Sequence, residues 1–348
     1  MSKLYKLFSN RLFITVLWFG LSLFAVLKMA LGHSINNYHV YKYTWINLLH
    51  QHNLYLAEPR FFLDTNHYGP LFALIIAPFT YLPDTLAAVL WVTVNVFVLY
   101  KAVLMLPLSK SYQYFVLLIC AHELMTAAYG VQFNPLIAAG IIFSFVFIRS
   151  GREFWAALFI VAGAYTKVYG IVGLAFFFFA ENKLKFIASM IFWGVVFFVL
   201  PMLFSSPAFI VQCYKDWYAS LMEKNTLNAL SSMQDISVMG MIRRVFNYPQ
   251  LSNIWVVAPG IVLFGICYIR VKCFKNTAYQ LLILASTLIF TVIFSTSSES
   301  PTYIIAFMGV AIWFMNLQRP VTTFEIVLLV FALLITSLSP SDLFPKYI

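Results

Sequence analysis

Apolar residues in this chain run in long unbroken blocks, and polar residues are confined to the intervals between them. The block 186–204 (FIASMIFWGVVFFVLPMLF) carries no charge over 19 residues, close to the ~20 a helix needs to cross a bilayer. Barrel strands alternate between two faces, so such blocks predict helices. The same reading places spanning helices near 12–32, 84–105, 112–130, 133–149, 153–167, 168–181, 186–204, 253–270, 277–295, 302–317 and 321–338. The expected fold class is therefore all-α. It is a polytopic transmembrane helical bundle of about ten or eleven spans, forming one integral membrane domain over 1–348.

Two stretches break this pattern. The segment 69–82 (GPLFALIIAPFTYL) is apolar, but its 14 residues are too few to span, which predicts a re-entrant or interfacial half-helix. The segment 153–181 is long enough for one helix, yet both its flanks are basic. Two short helices turning at Lys167-Val168-Tyr169-Gly170 reconcile those charges and place Lys167 below the outer surface. One tilted helix would instead reverse all topology downstream. Broken helices in a membrane are tolerated where they line a protein cavity.

The short intervals hold Lys110, Arg149 with Arg152, Lys183 with Lys185, Arg270 with Lys272 and Lys275, and Arg319. By the positive-inside rule these face the cytoplasm, and the amino terminus with them. The opposite face then receives two long extracytoplasmic segments, 33–68 and 206–252, and the turns at 130–134 and 296–301. Within the first, Tyr41, Trp45, Leu48 and Leu49 recur at helical spacing, as in a helix lying in the interface with its apolar face towards lipid.

Composition agrees. The chain is 62% hydrophobic and 10% charged, against about 25% charged in soluble domains, too few charges for a polar shell. The net charge of +10 is dispersed as topology clusters, so no nucleic-acid partner is expected. Four cysteines lack metal-ligand or CxxC spacing, and the basic amino terminus precedes an apolar run too long for a signal h-region. Five of the six histidines fall in 33–68, but none pairs with an acid in a ligand pattern, so neither metal nor cofactor is expected.

Candidate chemistry gathers on the outer face. Asp64 precedes the half-helix together with Asn66, His67 and Tyr68, as a functional carboxylate or as a helix cap. Glu123, next to His122, lies inside an apolar run, where a charge needs a partner; Lys167 is one. Gln132 and Asn134 flank an outer turn, Arg243 and Arg244 could grip a phosphate, and Glu299 sits near a helix end. Carboxylates, cations and amides on one face suit a transferase using a lipid phosphate. Asp64 or Glu299 would deprotonate an acceptor hydroxyl, and cations would hold the departing phosphate.

The order Asn37-Tyr38-x-Val40-Tyr41, Tyr68-Gly69-Pro70-Leu71-Phe72 and Gly130-x-Gln132-x-Asn134-Pro135 resembles glycosyltransferase family 87. Lys167-Val168-Tyr169, Ser237-x-x-Gly240-x-x-Arg243-Arg244 and Ser300-Pro301 continue the pattern, spread over roughly 35–305. The resemblance implies the GT-C membrane architecture and a polyprenyl-phosphate sugar donor, typically of mannose, with α-1,2 linkages formed by inversion. It also implies a lipid or glycan acceptor, a bacterial-type inner membrane, and an acidic base in the first outer loop. Asn37 stands where the family usually has that acid. An amide cannot serve as the base, which leaves Asp64 and Glu299 as catalytic candidates. Asn37, Tyr41, His67, Tyr68, Glu123, Gln132, Asn134, Lys167, Arg243 and Arg244 are the candidate binding residues. Two rival readings remain: a transporter or flippase for a lipid-linked substrate, and a silent relative serving as a partner subunit.

Overall fold

A computed structural model describes residues 3–229, 231 and 234–338. The described residues contain helices and no strand. In chain order the α-helices are Lys3–Phe8 (α1), Arg11–Leu31 (α2), Asn36–His50 (α3), Leu71–Thr80 (α4), Asp84–Leu104 (α5), Lys110–Tyr129 (α6), Asn134–Arg149 (α7) and Glu153–Thr166 (α8). After a 3-10 helix at Val168–Phe179 come Lys183–Val199 (α9), Pro207–Ala229 (α10), Val238–Val245 (α11), Ile254–Ile266 (α12), Thr277–Ile293 (α13), Tyr303–Met315 (α14) and Thr323–Ala332 (α15).

Three helices, Arg11–Leu31, Asp84–Leu104 and Lys183–Leu203, are long and apolar enough to cross a membrane alone. The shorter apolar helices run from 10 to 17 residues, and several stop at one place. Helix α7 starts after Gln132, α8 and the 3-10 helix meet at Lys167, and α14 starts after Thr302. Gln132, Lys167 and Thr302 all line the same cavity. These helices are short because a polar recess is cut into their ends.

The stretch 153–181 is a hairpin, the first of the two arrangements its basic flanks allowed. Its two ends meet, since the Asn182 N–H donates to Glu153 Oε1 at 3.1 Å and Lys185 Nζ lies 3.3 Å from the same carboxylate. Near its apex Gly163 and Gly170 pack backbone to backbone. A Cβ on Gly170 would fall inside the backbone of Gly163 and Ala164. Gly170→Ala should therefore lower stability by about 1–3 kcal/mol or more, read as a thermal unfolding midpoint in detergent. Gly140→Ala, where a Cβ meets nothing within 4 Å, is the control and should leave the midpoint unmoved.

Helix α3 differs from its expected placement. Tyr41, Trp45 and Leu48 are 2%, 5% and 0% exposed, so these three of the stripe pack into protein, while Leu49, 40% exposed, stays outward. Tyr41 meets Phe72 of α4 edge-on at 5.0 Å and Trp91 of α5 at 5.9 Å. Aromatic rings pack best against one another in such tilted pairs, and this partner surface was invisible from the stripe alone. The segment 206–252, read from sequence as a loop, is largely helical. Helix α10 runs 23 residues but is not among the helices apolar enough to span.

Candidate active site

A cavity of about 190 Å³ lies where α3, α10, the loop before α4 and the ends of the shortened helices converge. Asn37, Tyr41, Asp64, His67, Tyr68, Gln132, Lys167 and Glu299 line it. These residues span 262 positions of sequence (37 to 299). Tyr41, Tyr68 and Tyr169 are its aromatic lining, and behind them Tyr68 stacks on Phe72 at 4.4 Å.

Lys167 stands at the hairpin apex. Its Nζ donates to Asn134 Oδ1 at 2.6 Å, and Asn134 Nδ2 donates to the Pro301 carbonyl at 3.0 Å. Nζ also lies 4.9 Å from the centre of the Tyr169 ring and 5.8 Å from that of Tyr68. Asn134 thus fixes one ammonium proton and leaves the others to face the cavity. Asn134 itself is buried and acts through Lys167. The first turn of α7 has no side-chain cap, so its partial positive end adds to the field beside Gln132.

The two carboxylates occupy different depths. Asp64 is exposed at the rim, where its Oδ1 accepts from the Thr65 N–H at 2.8 Å. Glu299 is half-buried at the start of a short 3-10 turn, within electrostatic reach of Lys167, Tyr41, Tyr68 and Tyr169. Among the described residues neither carboxylate forms a salt bridge. Each can accept a proton without first breaking an ion pair.

His67 ties the rim to α10. Its Nδ1 shares a hydrogen with Ser220 Oγ at 2.8 Å and its Nε2 with Thr65 Oγ1 at 3.1 Å, while its carbonyl accepts from Trp217 Nε1 at 2.9 Å. Burial first, then the nearby Lys224, push the imidazole down to about 4, so it stays neutral at physiological pH. Asn37 donates its amide to the Gly130 carbonyl at 2.7 Å. An ionised Asp could not make that bond, which gives Asn37 a structural reason to be an amide.

Three expected members lie elsewhere. Glu123 does not pair with Lys167. It is 1% exposed on α6, with His122 Nδ1 at 4.0 Å, and sits seven residues below Gly130, or about 10 Å of helix. Lys167 reaches Asn134, at the turn after α6, instead. Arg243 bonds to Asp235 Oδ2 at 2.7 Å, to the Leu251 carbonyl and to Asn253, away from the cavity. Arg244 is exposed, donates to the Asp235 carbonyl at 2.9 Å, and borders a separate groove with Met241, Val245 and Tyr303. Since Asp235 is 0% exposed, Arg243→Met should destabilise by about 3–5 kcal/mol by stranding that charge. Thermal unfolding checks it, and lost activity at unchanged stability would instead place Arg243 on a substrate.

Sequence reasoning missed Lys224, which lines the cavity with Leu221 from α10. Trp217, Ser220, Leu221, Lys224 and Asn228 recur at three- and four-residue steps. That is one helical face, readable once the segment is taken as a helix. Asn228 fastens the same face to the opposite wall, donating to the Thr296 carbonyl at 3.1 Å and to Ser297 Oγ at 3.2 Å.

The profile of glycosyltransferase family 87 matches residues 66–298, two thirds of the chain. The chain belongs to that family. It is thus a membrane glycosyltransferase, an enzyme with a sugar donor and an acceptor. No curated protein and no solved structure matches it. Lys167 and Lys224 lie inside the matched span, whereas Asp64 and Glu299 lie just outside its two ends. In this family 87 chain, folding alone brings the acids to the lysines.

Proposed function

We propose that the protein transfers a sugar, with mannose the first candidate, from a polyprenyl-phosphate carrier to a hydroxyl of a lipid or glycan acceptor. The reaction takes place on the extracytoplasmic side of a bacterial-type inner membrane, with the amino terminus in the cytoplasm. One observation carries this reading: Lys167, Lys224, Asp64 and Glu299 surround a single cavity, with neither carboxylate neutralised by a lysine. The placement of basic residues in the short intervals supports the sidedness.

Glu299 is the base in this scheme. Its carboxylate takes the hydroxyl proton of the acceptor as that oxygen attacks the anomeric carbon. The bond from the anomeric carbon to the phosphate oxygen breaks, and its electron pair stays on the phosphate. A phosphodiester with one negative charge becomes a monoester approaching two, so Lys167 and Lys224 stabilise the transition state more than the bound donor. Asp64, at the rim, receives a second hydroxyl of the acceptor. Tyr68 and Tyr169 supply ring faces beside the sugar.

The test is turnover of labelled polyprenyl-phosphate sugars by the purified protein in liposomes. The expected result is release of polyprenyl phosphate with transfer of the label to a lipid or glycan fraction. If well-folded protein consumes nucleotide-sugars and leaves every polyprenyl-linked donor intact, the donor assignment is wrong. Failure to cleave any donor would favour a partner-subunit role.

A further inference from the structure

The 3-10 helix that begins beside Lys167 ends at a second recess. Twelve residues at about 2 Å each put the two sites roughly 24 Å apart. The second recess has a volume of about 780 Å³ and is lined by Arg149, Lys183, Lys272 and Lys275, from three separate stretches of chain. Glu181 is the carboxylate on its wall.

Among the described residues none of these four cations has a carboxylate within 4 Å. Arg149 is nevertheless held in place, donating to Thr277 Oγ1 at 2.8 Å and to Gln280. Gln280 in turn donates to the Phe274 carbonyl at 2.6 Å. Unpaired like charges around one cavity repel each other, and an anion seated among them relieves that repulsion. The rest of the wall is apolar. Phe178, Phe179, Phe274 and Val271 line it, and Val271 is 64% exposed. A charged pocket opening onto an apolar flank matches an amphiphile better than a soluble ion.

We propose that this recess binds the phosphate headgroup of an anionic phospholipid, at the end of the bundle away from sugar transfer. The lysines and Arg149 hold the phosphate oxygens, and the acyl chains lie along the phenylalanines and Val271. The site is independent of the donor and acceptor assignments above.

The experiment compares wild type with the triple variant Lys183→Gln, Lys272→Gln, Lys275→Gln and with the corresponding triple Lys→Arg variant. All three lysines are exposed, and Arg149, Arg152, Lys185 and Arg270 remain to hold the topology, so unfolding midpoints in phosphatidylcholine should coincide. Retention of phosphatidylglycerol and cardiolipin through detergent exchange is read by native mass spectrometry, with phosphatidylcholine as reference. Wild type should retain the anionic lipids selectively, the Gln variant roughly a hundredfold less, and the Arg variant like wild type. Equal retention by wild type and the Gln variant, or no preference over phosphatidylcholine, overturns the proposal. Stabilisation by inorganic phosphate matching that by anionic lipid would assign the recess to a soluble phosphate, and would overturn the lipid reading.

Discussion

Glu299→Gln lowers turnover of the labelled donor by about 10²–10⁴-fold and leaves donor affinity within roughly threefold. The amide keeps the size and much of the hydrogen bonding of the carboxylate but cannot take a proton. Glu299 is a negative charge lining a cavity that takes an anionic donor, so removing that charge should not empty the donor site. A loss confined to kcat is the signature of a missing base. Asp64→Asn, at the exposed rim, should cost much less in kcat and more in acceptor KM. If the two effects are reversed, Asp64 is the base; if both variants keep full rate, neither is.

Lys167→Met should cost about 10²–10³ in kcat, the range for removing one group that stabilises developing negative charge. The loss differs in kind from that of Glu299→Gln. The donor already carries one negative charge when it binds, so its KM should rise as well. Inhibition by the product, polyprenyl phosphate, should weaken more than donor binding, because the product carries the extra charge. The substitution also leaves Asn134 Oδ1 without its 2.6 Å partner, so unfolding must be measured alongside. Lys224→Met, from the opposite wall, should act in the same direction with the hairpin untouched. A Lys167→Met enzyme turning over within threefold of wild type would remove the phosphate-stabilising role assigned here.

Some of the site was legible before folding. Lys167 was marked by a charge conflict, since an apolar segment with two basic flanks either turns back or reverses the topology after it. The turn Gly130–Pro135 and the motif around Tyr68 were marked by composition. Lys224 escapes any reading of 206–252 as a loop, which hides the helical face it shares with Trp217 and Ser220. Arg243 and Glu123 lie off the cavity for a different reason. A charge in an apolar context announces that it needs a partner, but not which one. Asp235, eight residues away, serves Arg243, and Asn134, at the turn after α6, serves Lys167.

Sequence alone determined that this chain is a helical membrane protein, because blocks of apolar side chains can be buried only in lipid or in one another, and 10% charge cannot cover such a surface. It also determined which residue types were available for chemistry. Tertiary structure decided which of them meet. Helix periodicity reaches only three or four residues along the chain, whereas the pairing of Asn37 with Gly130, of Lys167 with Asn134 and of His67 with Ser220 spans 93, 33 and 153 residues. Those contacts depend on helix packing and on the depth at which each helix stops, which no local pattern encodes.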